Sequence, residues 1–221
     1  MKILLIFGTR PEAIKMAPLV LALKKEAGFD TRVCVTGQHR EMLDQVLDIF
    51  GITPDHDLAI MKDGQDLYDV SATILTKLRE IITIERPDLV LVHGDTATAV
   101  TATLAAYFAR VPVGHVEGGL RTGDLYSPWP EEGNRRVISA LAALHFVPTS
   151  AAANNLRLEN VKEPQIEITG NTVIDALLYV VNKIRHSEDL QIKCAKYFRF
   201  LKPERRTIVV TGHRRESFGA G

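Results

Sequence analysis

The sequence predicts an α/β fold with a Rossmann-like parallel sheet and helices on both of its faces. Short runs rich in Val, Ile and Leu recur along the chain, and segments with apolar residues at helical spacing lie between them. Continuous apolar runs are typical of strands buried on both faces, as in a parallel sheet. The first run, Ile3–Phe7, leads through a short glycine turn into a helical pattern, which is how an α/β unit begins.

The remaining elements follow from the same two patterns. We expect strands at Ile3–Phe7, Arg32–Thr36, Leu89–His93, Val113–Val116, His145–Val147, Ile166–Thr169 and Ile208–Thr211. We expect helices at Ala13–Glu26, Arg40–Phe50, Leu67–Glu85, Thr98–Ala109, Asn134–Ala143, Ala151–Leu158, Val173–Arg185 and Glu188–Arg199.

The alternation of strands and helices changes near Gly170, because two helical segments then follow one another with no strand between them. We therefore predict an N-terminal Rossmann-like domain over residues 1–170, a helical connector over 171–206 and the start of a second Rossmann-like domain over 207–221. Only ten residues follow Thr211, and a single strand with no helix behind it cannot bury both faces. The sequence therefore reads as a chain cut short.

The composition is that of an ordinary aliphatic-rich α/β protein, with 46% hydrophobic residues in 221. Lys and Arg together number 27, as do Asp and Glu, so there is no global positive field of the kind that attracts nucleic acid or an anionic membrane. Any anion site must be local.

The two cysteines and the N-terminus predict a cytoplasmic protein. Cys34 lies in the apolar run VCVT, which indicates a buried thiol, and no CxxC pair is present. Unpaired cysteines are typical of a reducing compartment. The N-terminal apolar run is too short for a signal peptide, and no stretch approaches the roughly 18 apolar residues of a membrane span.

The turn after the first strand combines capping residues with an unusual cation. Thr9 and Glu12 fit the S/T-x-x-E capping box, so Glu12 is read as structural. Arg10 opposes the helix dipole, which suggests an anionic partner such as a phosphate, and Lys15 follows about one turn later. The spacing matches neither a P-loop nor the G-x-G-x-x-G dinucleotide pattern.

Polar residues also follow the other strands. The turn at Gln38 is explained by capping as well as by function. Asp95 fits an N-cap of the next helix and a catalytic acid or base equally well. Glu117 comes directly after a buried strand, with Gly118 and Gly119 giving backbone freedom near a ligand. A loop of about a dozen residues follows, and loops of this length are usually functional.

That loop ends in a run of acids and arginines. Glu131 and Arg135 are four residues apart, which suggests an i,i+4 pair facing the cleft, while Glu132 suits the helix dipole and is read as structural. His213 is a further titratable residue that follows a predicted strand, the last one in the chain. Together, three carboxylates, a histidine and several cations predict an acid/base site for a negatively charged substrate such as a nucleotide derivative.

Long motifs in the chain resemble one family, the bacterial non-hydrolysing UDP-N-acetylglucosamine 2-epimerases. They are FGTRPEAIKMAPL, VTGQHREMLDQVL, LVHGDTAT, GHVEGGLRTGDLYSPWPEEGNRR, ITGNTVIDALL and VTGHRRESFG, in the family's order. The resemblance implies the first domain of a glycosyltransferase B-type two-domain fold with its active site between the domains. It also implies about 150 further residues, a typical domain length, and little activity for these 221 residues alone.

The resemblance further implies interconversion of UDP-GlcNAc and UDP-ManNAc by elimination and re-addition of UDP through 2-acetamidoglucal, to supply surface polysaccharide. It implies no cofactor and no metal, a homodimer, and UDP-N-acetylglucosamine as substrate and as allosteric activator. Rival readings are a hydrolysing epimerase, a B-type glycosyltransferase and a non-catalytic N-terminal fragment.

The family's functional residues can be carried over by position. The resemblance implies acid/base roles for Asp95, Glu117 and Glu131, with His213 acting on the leaving group. It implies phosphate-side cations at Arg10, Lys15 and Arg135, and allosteric contacts at Gln38 and Glu41. Two departures are glycines at Gly118 and Gly133, where the family motifs suggest alanine.

Overall fold

In this computed structural model, parallel strands form one sheet. The structure describes residues 1–37, 40–62, 64–202 and 204–210, with Arg40 and Glu41 described by their backbone alone. The strands of this part of the chain are β1 Lys2–Phe7, β2 Asp30–Val35, β3 His56–Asp57, β4 Leu89–His93, β5 Val113–Val116, β6 Leu144–Val147 and β7 Ile166–Ile168. Their order in the sheet is β3-β2-β1-β4-β5-β6-β7.

Helices connect these strands and continue after the last one. They are α1 Arg10–Lys25, α2 Arg40–Phe50, α3 Leu67–Glu85, α4 Ala97–Phe108, α5 Glu131–Leu141, α6 Ser150–Leu158, α7 Val173–Arg185 and α8 Glu188–Tyr197. Two helices begin three residues earlier than the sequence predicted, α1 at Arg10 and α5 at Glu131. Both Arg10 and Glu131 therefore lie in the first turn of a helix.

The strand order reverses direction at the centre of the sheet. The chain runs outward from β1 through β2 to β3, then crosses back so that β4 pairs with the other side of β1, with Leu4 opposite Val90. In open parallel sheets, ligands bind outside the carboxyl ends of the strands at such a switch point. The turns after β1 and β4 are therefore where a site is expected.

Both faces of the central strand are covered, which confirms the predicted fold class. Leu4 and Ile6 belong to a buried cluster that includes side chains of α3 and α4. On the opposite face Leu5 is fully buried, and α1 packs on the sheet with Met16 also fully buried. Cys34 is buried as predicted, and desolvation, followed by the nearby Asp57 charge, raises the pKa of its thiol to about 12.

The chain divides into two compact units, Met1–Tyr179 and Val180–Gly221. The domain limits inferred from the sequence, 1–170, 171–206 and 207–221, stay predictions. The expected strand at Ile208–Thr211 is wrong for its described part, because Ile208, Val209 and Val210 pair with no described strand and are at least 80% exposed. No helix of the described residues is long and apolar enough to cross a membrane.

Candidate functional site

The turn between β1 and α1 is built around the buried carboxylate of Glu12. The backbone N–H groups of Gly8 and Thr9 donate to Glu12 Oε2 at 3.0 and 2.7 Å, and the Thr9 hydroxyl accepts from the Glu12 N–H, so the predicted capping box is present. Thr96 Oγ1 donates to Glu12 Oε1 at 2.6 Å, which ties this turn to the one after β4. Burial raises the pKa of Glu12 despite these bonds.

Gly8 allows these turns to approach closely. A Cβ at Gly8 would lie 1.9 Å from Thr36 Oγ1 and 2.7 Å from Thr98 Oγ1, and those two hydroxyls are 3.1 Å apart. The ends of β1 and β2 and the start of α4 therefore meet with no room for a side chain. Arg10, the next residue but one, is exposed at the first position of α1, where its cation can meet a ligand.

Glu117 follows β5 and is held by side chains from three other elements. Lys15 Nζ donates to both carboxylate oxygens at 2.6 Å, and Asn171 Nδ2 donates to Oε2 at 2.5 Å. His93 Nε2 lies 3.8 Å from Oε1. The Glu117 backbone is left-handed, with φ +62°, a conformation that costs energy for a residue with a side chain.

The charge state of Glu117 is set by opposing effects. Burial alone would raise the pKa of this carboxyl, which is 13% exposed, but His93, Lys15 and Asn171 together hold it below its ordinary value. His93 is itself buried, which lowers its pKa to about 4, so it is neutral near pH 7. Its Nε2 has no hydrogen-bond partner among the described residues. At neutral pH the site is a carboxylate beside one ammonium group and a neutral imidazole.

Asp95 follows β4 and forms an ion pair with Arg135 of α5. Arg135 Nε donates to Asp95 Oδ2 at 2.8 Å, with Nη2 at 2.5 Å from the same oxygen. Asn134 Nδ2 also donates to the Asp95 backbone oxygen at 2.8 Å. The capping alternative for Asp95 is wrong, because the hydroxyl of Thr96 caps α4 by accepting from the Ala99 N–H at 3.0 Å. Its carboxylate is thus free of the helix and faces Arg135.

The two adjacent glutamates at the start of α5 have different surroundings. Glu132 is fully buried and accepts from the N–H groups of Thr122 and Gly123 and from Arg135 and Arg136, so its structural reading is confirmed. Burial alone would raise its pKa, but these donors hold it below the ordinary value. Oε2 of Glu131 is buried with no partner among the described residues. The expected Glu131–Arg135 pair is wrong, because Arg135 contacts Asp95 and Glu132 instead.

The long loop before α5 is anchored at one arginine. Arg121 donates from Nε and Nη2 to the two carboxylate oxygens of Glu159, both at 2.7 Å, and from Nη2 to Ser139 Oγ at 2.8 Å. The loop side chains Tyr126 and Trp129 are 79% and 62% exposed. The loop therefore holds one basic residue in an ion pair and leaves its aromatic groups accessible.

The structure thus joins some predicted residues and leaves others apart. It pairs Lys15 with Glu117 and Asp95 with Arg135, on neighbouring strand ends linked by a 2.9 Å bond from the Gly94 N–H to the Val116 carbonyl. Gln38 and His213 lie outside the described residues, as does the side chain of Glu41.

Sequence reasoning missed two residues of this site, His93 and Asn171. His93 is the last residue of an apolar strand, so the signal for it was a titratable residue inside an otherwise buried run. Asn171 lies 54 residues from Glu117, and no local pattern joins them. Among the described residues, no group of three His, Cys, Asp or Glu side chains is placed to hold a metal ion.

This arrangement can bind an anion and move protons. A carboxylate beside an ammonium group, a second carboxylate beside a guanidinium and a third with an unpartnered oxygen gather at the carboxyl ends of β4 and β5 and the start of α5. The family model for UDP-N-acetylglucosamine 2-epimerases matches residues 21–221. The chain belongs to this family.

Individual members of the epimerase family match along the whole chain. The UDP-N-acetylglucosamine 2-epimerase of Escherichia coli K12 is 58% identical over 221 residues, which are all of this chain and 59% of that protein. The chain thus spans little more than half the length of this relative.

Solved structures of epimerases also match the fold of this chain. The Neisseria meningitidis UDP-GlcNAc 2-epimerase bound to UDP-GlcNAc is 48% identical with a TM-score of 0.94, covering 99% of this chain and 59% of that one. The Methanocaldococcus jannaschii epimerase in complex with UDP-GlcNAc and UDP is 32% identical with a TM-score of 0.81, covering 89% and 54%. The Rossmann-like sheet is thus that of the epimerases.

Proposed function

We propose that this chain is the N-terminal part of a non-hydrolysing UDP-N-acetylglucosamine 2-epimerase, which interconverts UDP-GlcNAc and UDP-ManNAc. The observation that carries the proposal is that two carboxylate–cation pairs, Lys15 with Glu117 and Arg135 with Asp95, lie at the neighbouring ends of β5 and β4. The buried, unpartnered Oε2 of Glu131 lies at the start of α5, the helix that supplies Arg135. Family membership and the UDP-GlcNAc bound to the N. meningitidis relative support the substrate.

The chemistry explains why several carboxylates are needed. The hydrogen at C2 of the sugar has no neighbouring carbonyl to acidify it, so direct removal and return would be slow. In the proposed route a carboxylate takes the C2 proton, the C1–C2 double bond forms, and the C1–oxygen bond breaks with its electron pair leaving on UDP. UDP then adds back to C1 of the 2-acetamidoglucal while C2 receives a proton on its other face. Proton-transfer groups on both faces of C2 are therefore required.

The reaction also requires positive groups near the diphosphate of the leaving UDP. UDP gains negative charge as it leaves, and fixed positive groups stabilise that charge best in a site shielded from water. Arg10 is exposed at the first position of α1, and Lys15, five residues later, points at Glu117; both are proposed to meet the diphosphate. His213 is proposed to assist the leaving group, and Gln38 and Glu41 to contact an allosteric UDP-N-acetylglucosamine. The ion pairs of Lys15 and Arg135 would then be shared with the substrate.

Several properties of the whole protein belong to the same proposal. We expect a homodimer, activation by its own substrate, and a role in supplying ManNAc for surface polysaccharide. Since the chain spans 59% of its E. coli relative, we expect these 221 residues alone to show little or no epimerase activity.

Product analysis by NMR tests the function. The full-length gene product is incubated with UDP-GlcNAc in deuterated water, and the sugars are followed over time. The proposal requires UDP-ManNAc with deuterium at C2. Free ManNAc together with UDP would identify a hydrolysing epimerase, and transfer of the sugar to an added acceptor with no label at C2 would identify a glycosyltransferase. Either result would overturn the proposal.

A further inference from the structure

The Glu117 carboxylate accepts a hydrogen bond from an uncharged side chain that has no assigned role, Asn171. Within the described part of the chain, the titratable or charged groups that face Glu117 are Lys15 of α1 and His93 of β4. Asn171 comes from the segment between β7 and α7 and donates to Oε2 at 2.5 Å. It lies far from Glu117 in the sequence, so the contact exists only because the fold creates it.

The amide of Asn171 is held in one orientation. Its Oδ1 accepts from the backbone N–H of Val173, the first residue of α7, at 3.0 Å, in the manner of an Asx turn. An amide has one acceptor end and one donor end. Because the oxygen is used by the start of α7, the NH₂ group points at Glu117, and turning the amide over would break both bonds.

The segment that carries Asn171 is itself anchored. Thr172 Oγ1 donates to the backbone oxygen of Lys15 at 2.6 Å, which ties the start of α7 to the helix that supplies the ammonium group. Ala176, one turn into α7, is 1% exposed. The Glu117 carboxylate is thus hydrogen-bonded by side chains from α1 and from the segment before α7, and these two elements are bonded to each other.

We propose that Asn171 is a positioning residue, which fixes the orientation of the Glu117 carboxylate and leaves Oε1 as the oxygen that exchanges a proton with the substrate. Its part in turnover rests on the proposed function above. Oε2 accepts from both Asn171 and Lys15, whereas among the residues that the structure describes Oε1 contacts only Lys15 and the more distant His93. These hydrogen bonds also help to hold the Glu117 backbone in its left-handed conformation, which costs energy and would be less well held without the donors.

One substitution separates positioning from structural support. Asn171→Asp keeps an oxygen that accepts from the Val173 N–H, since Asp forms the same turn as Asn. It removes the NH₂ donor and places a second carboxylate against Glu117. Asn171→Ala removes the turn and the donor together. Thr172→Val is the matched control, because it cuts the neighbouring tie to α1 and leaves the amide in place.

The first measurement follows Glu117 itself in the 221-residue chain. ¹³C-carboxyl NMR titrates Glu117, assigned by the signal lost in Glu117→Gln, and thermal melting reports folding. We expect Asn171→Ala to raise the Glu117 pKa by roughly 1–2 units, because the lost bond stabilised the charged form. Asn171→Asp should raise it further, with some loss of thermal stability at neutral pH because the raised pKa disfavours the ionised folded state, while the chain still unfolds cooperatively. A Glu117 pKa unchanged in Asn171→Asp would overturn the proposal.

The second measurement is the pH dependence of turnover by the full-length gene product. We expect Asn171→Asp to lower kcat by roughly 10- to 100-fold with KM changed less than threefold, since Asn171 acts on Glu117 and not on the substrate. The acid limb of kcat/KM should move to higher pH, because Glu117 must be ionised to accept a proton. An unchanged kcat would contradict positioning. Absence of epimerisation by the unmodified enzyme would refute the proposed function instead, while the NMR titration would still decide the role of Asn171.

Discussion

The buried carboxylate of Glu132 offers a strong test of how this site is held together. It is fully buried and accepts from two backbone N–H groups, Thr122 at 3.1 Å and Gly123 at 3.4 Å. It also accepts from Arg135 Nη1 at 3.3 Å and from Arg136 Nε at 3.4 Å. The long loop and the first turn of α5 therefore meet at one carboxylate, and Glu132→Gln removes its charge with almost no change of shape.

The expected cost follows from those four contacts. Removing one partner of a buried ion pair costs roughly 3–5 kcal/mol when the other charge is left buried. Here the cost is reduced, because Arg135 keeps Asp95 and the Arg136 side chain is 43% exposed to water. One glutamine oxygen still accepts from the loop, while its NH₂ group faces an arginine and repels it. We therefore expect a loss of about 2–4 kcal/mol in the free energy of unfolding.

Chemical and thermal unfolding of the 221-residue chain measure this loss. For a chain of this size, 1 kcal/mol corresponds to roughly 2–4 °C, so the melting temperature should fall by roughly 4–16 °C. Glu163→Gln is the control, because Glu163 also accepts from an arginine, Arg157, at 2.6 Å from both carboxylate oxygens, but its side chain is 67% exposed. The control should unfold like the unmodified chain. A loss below about 1 kcal/mol for Glu132→Gln would refute this view of the loop.

Three further outcomes follow from burial and backbone geometry. Burial lowers the pKa of His93 and His145 to about 4 and of His115 to about 3, so below pH 6.5 the unfolded chain takes up protons that the folded chain does not. The free energy of unfolding should therefore fall between pH 6.5 and 4.5 by up to about 1.4 kcal/mol per pH unit for each histidine, partly offset by the raised pKa of Glu12. Urea midpoints that stay constant from pH 7 to 5 would contradict this. A thiol reagent at pH 8 should label the partly exposed Cys194 and leave Cys34, with its pKa of about 12, unmodified until the chain unfolds; mass spectrometry showing early label on Cys34 would show that it is accessible. Gly133→Ala, with open space around the new Cβ in α5, should raise the free energy of unfolding by about 0.5–1 kcal/mol. Gly119→Ala should lower it by more than about 1 kcal/mol, because Gly119 has φ +81° and a Cβ there would lie 2.4 Å from the Ala152 oxygen. Equal effects of the two substitutions in urea titrations would contradict this geometry.

The position of the Asp95 and Glu117 carboxylates could be predicted from the sequence because it depends on where two strands end. Once β4 and β5 were recognised as buried strands, Asp95 and Glu117 had to follow them at the same edge of a parallel sheet. The capping box at Thr9 and Glu12 was equally predictable, since it depends on residues three apart.

The pairing of side chains could not be predicted in the same way. Arg135 is within reach of Glu131, Glu132 and Asp95, and helical spacing favoured Glu131, but α5 lies so that the guanidinium meets Asp95 across the sheet edge. The partnership of Asn171 and Glu117 likewise depends on a tertiary contact, the hydrogen bond from Thr172 to the Lys15 carbonyl of α1. Such contacts are decided by tertiary packing between distant segments.

The strand expected at Ile208–Thr211 is a different kind of error, because here local sequence predicted an element that the described residues do not form. A β-branched run satisfies local propensity, yet propensity becomes a strand only where a neighbouring strand supplies hydrogen bonds. Ile208, Val209 and Val210 meet no described strand.

The rate of deuterium incorporation at C2 of the sugar tests the central claim most directly. Full-length gene product carrying Glu117→Gln is compared with Glu163→Gln in deuterated water containing UDP-GlcNAc. If Glu117 moves the C2 proton, its variant should exchange at least about 100-fold more slowly, the usual contribution of a general acid or base, while the control exchanges normally. Equal exchange rates in the two variants would contradict the account.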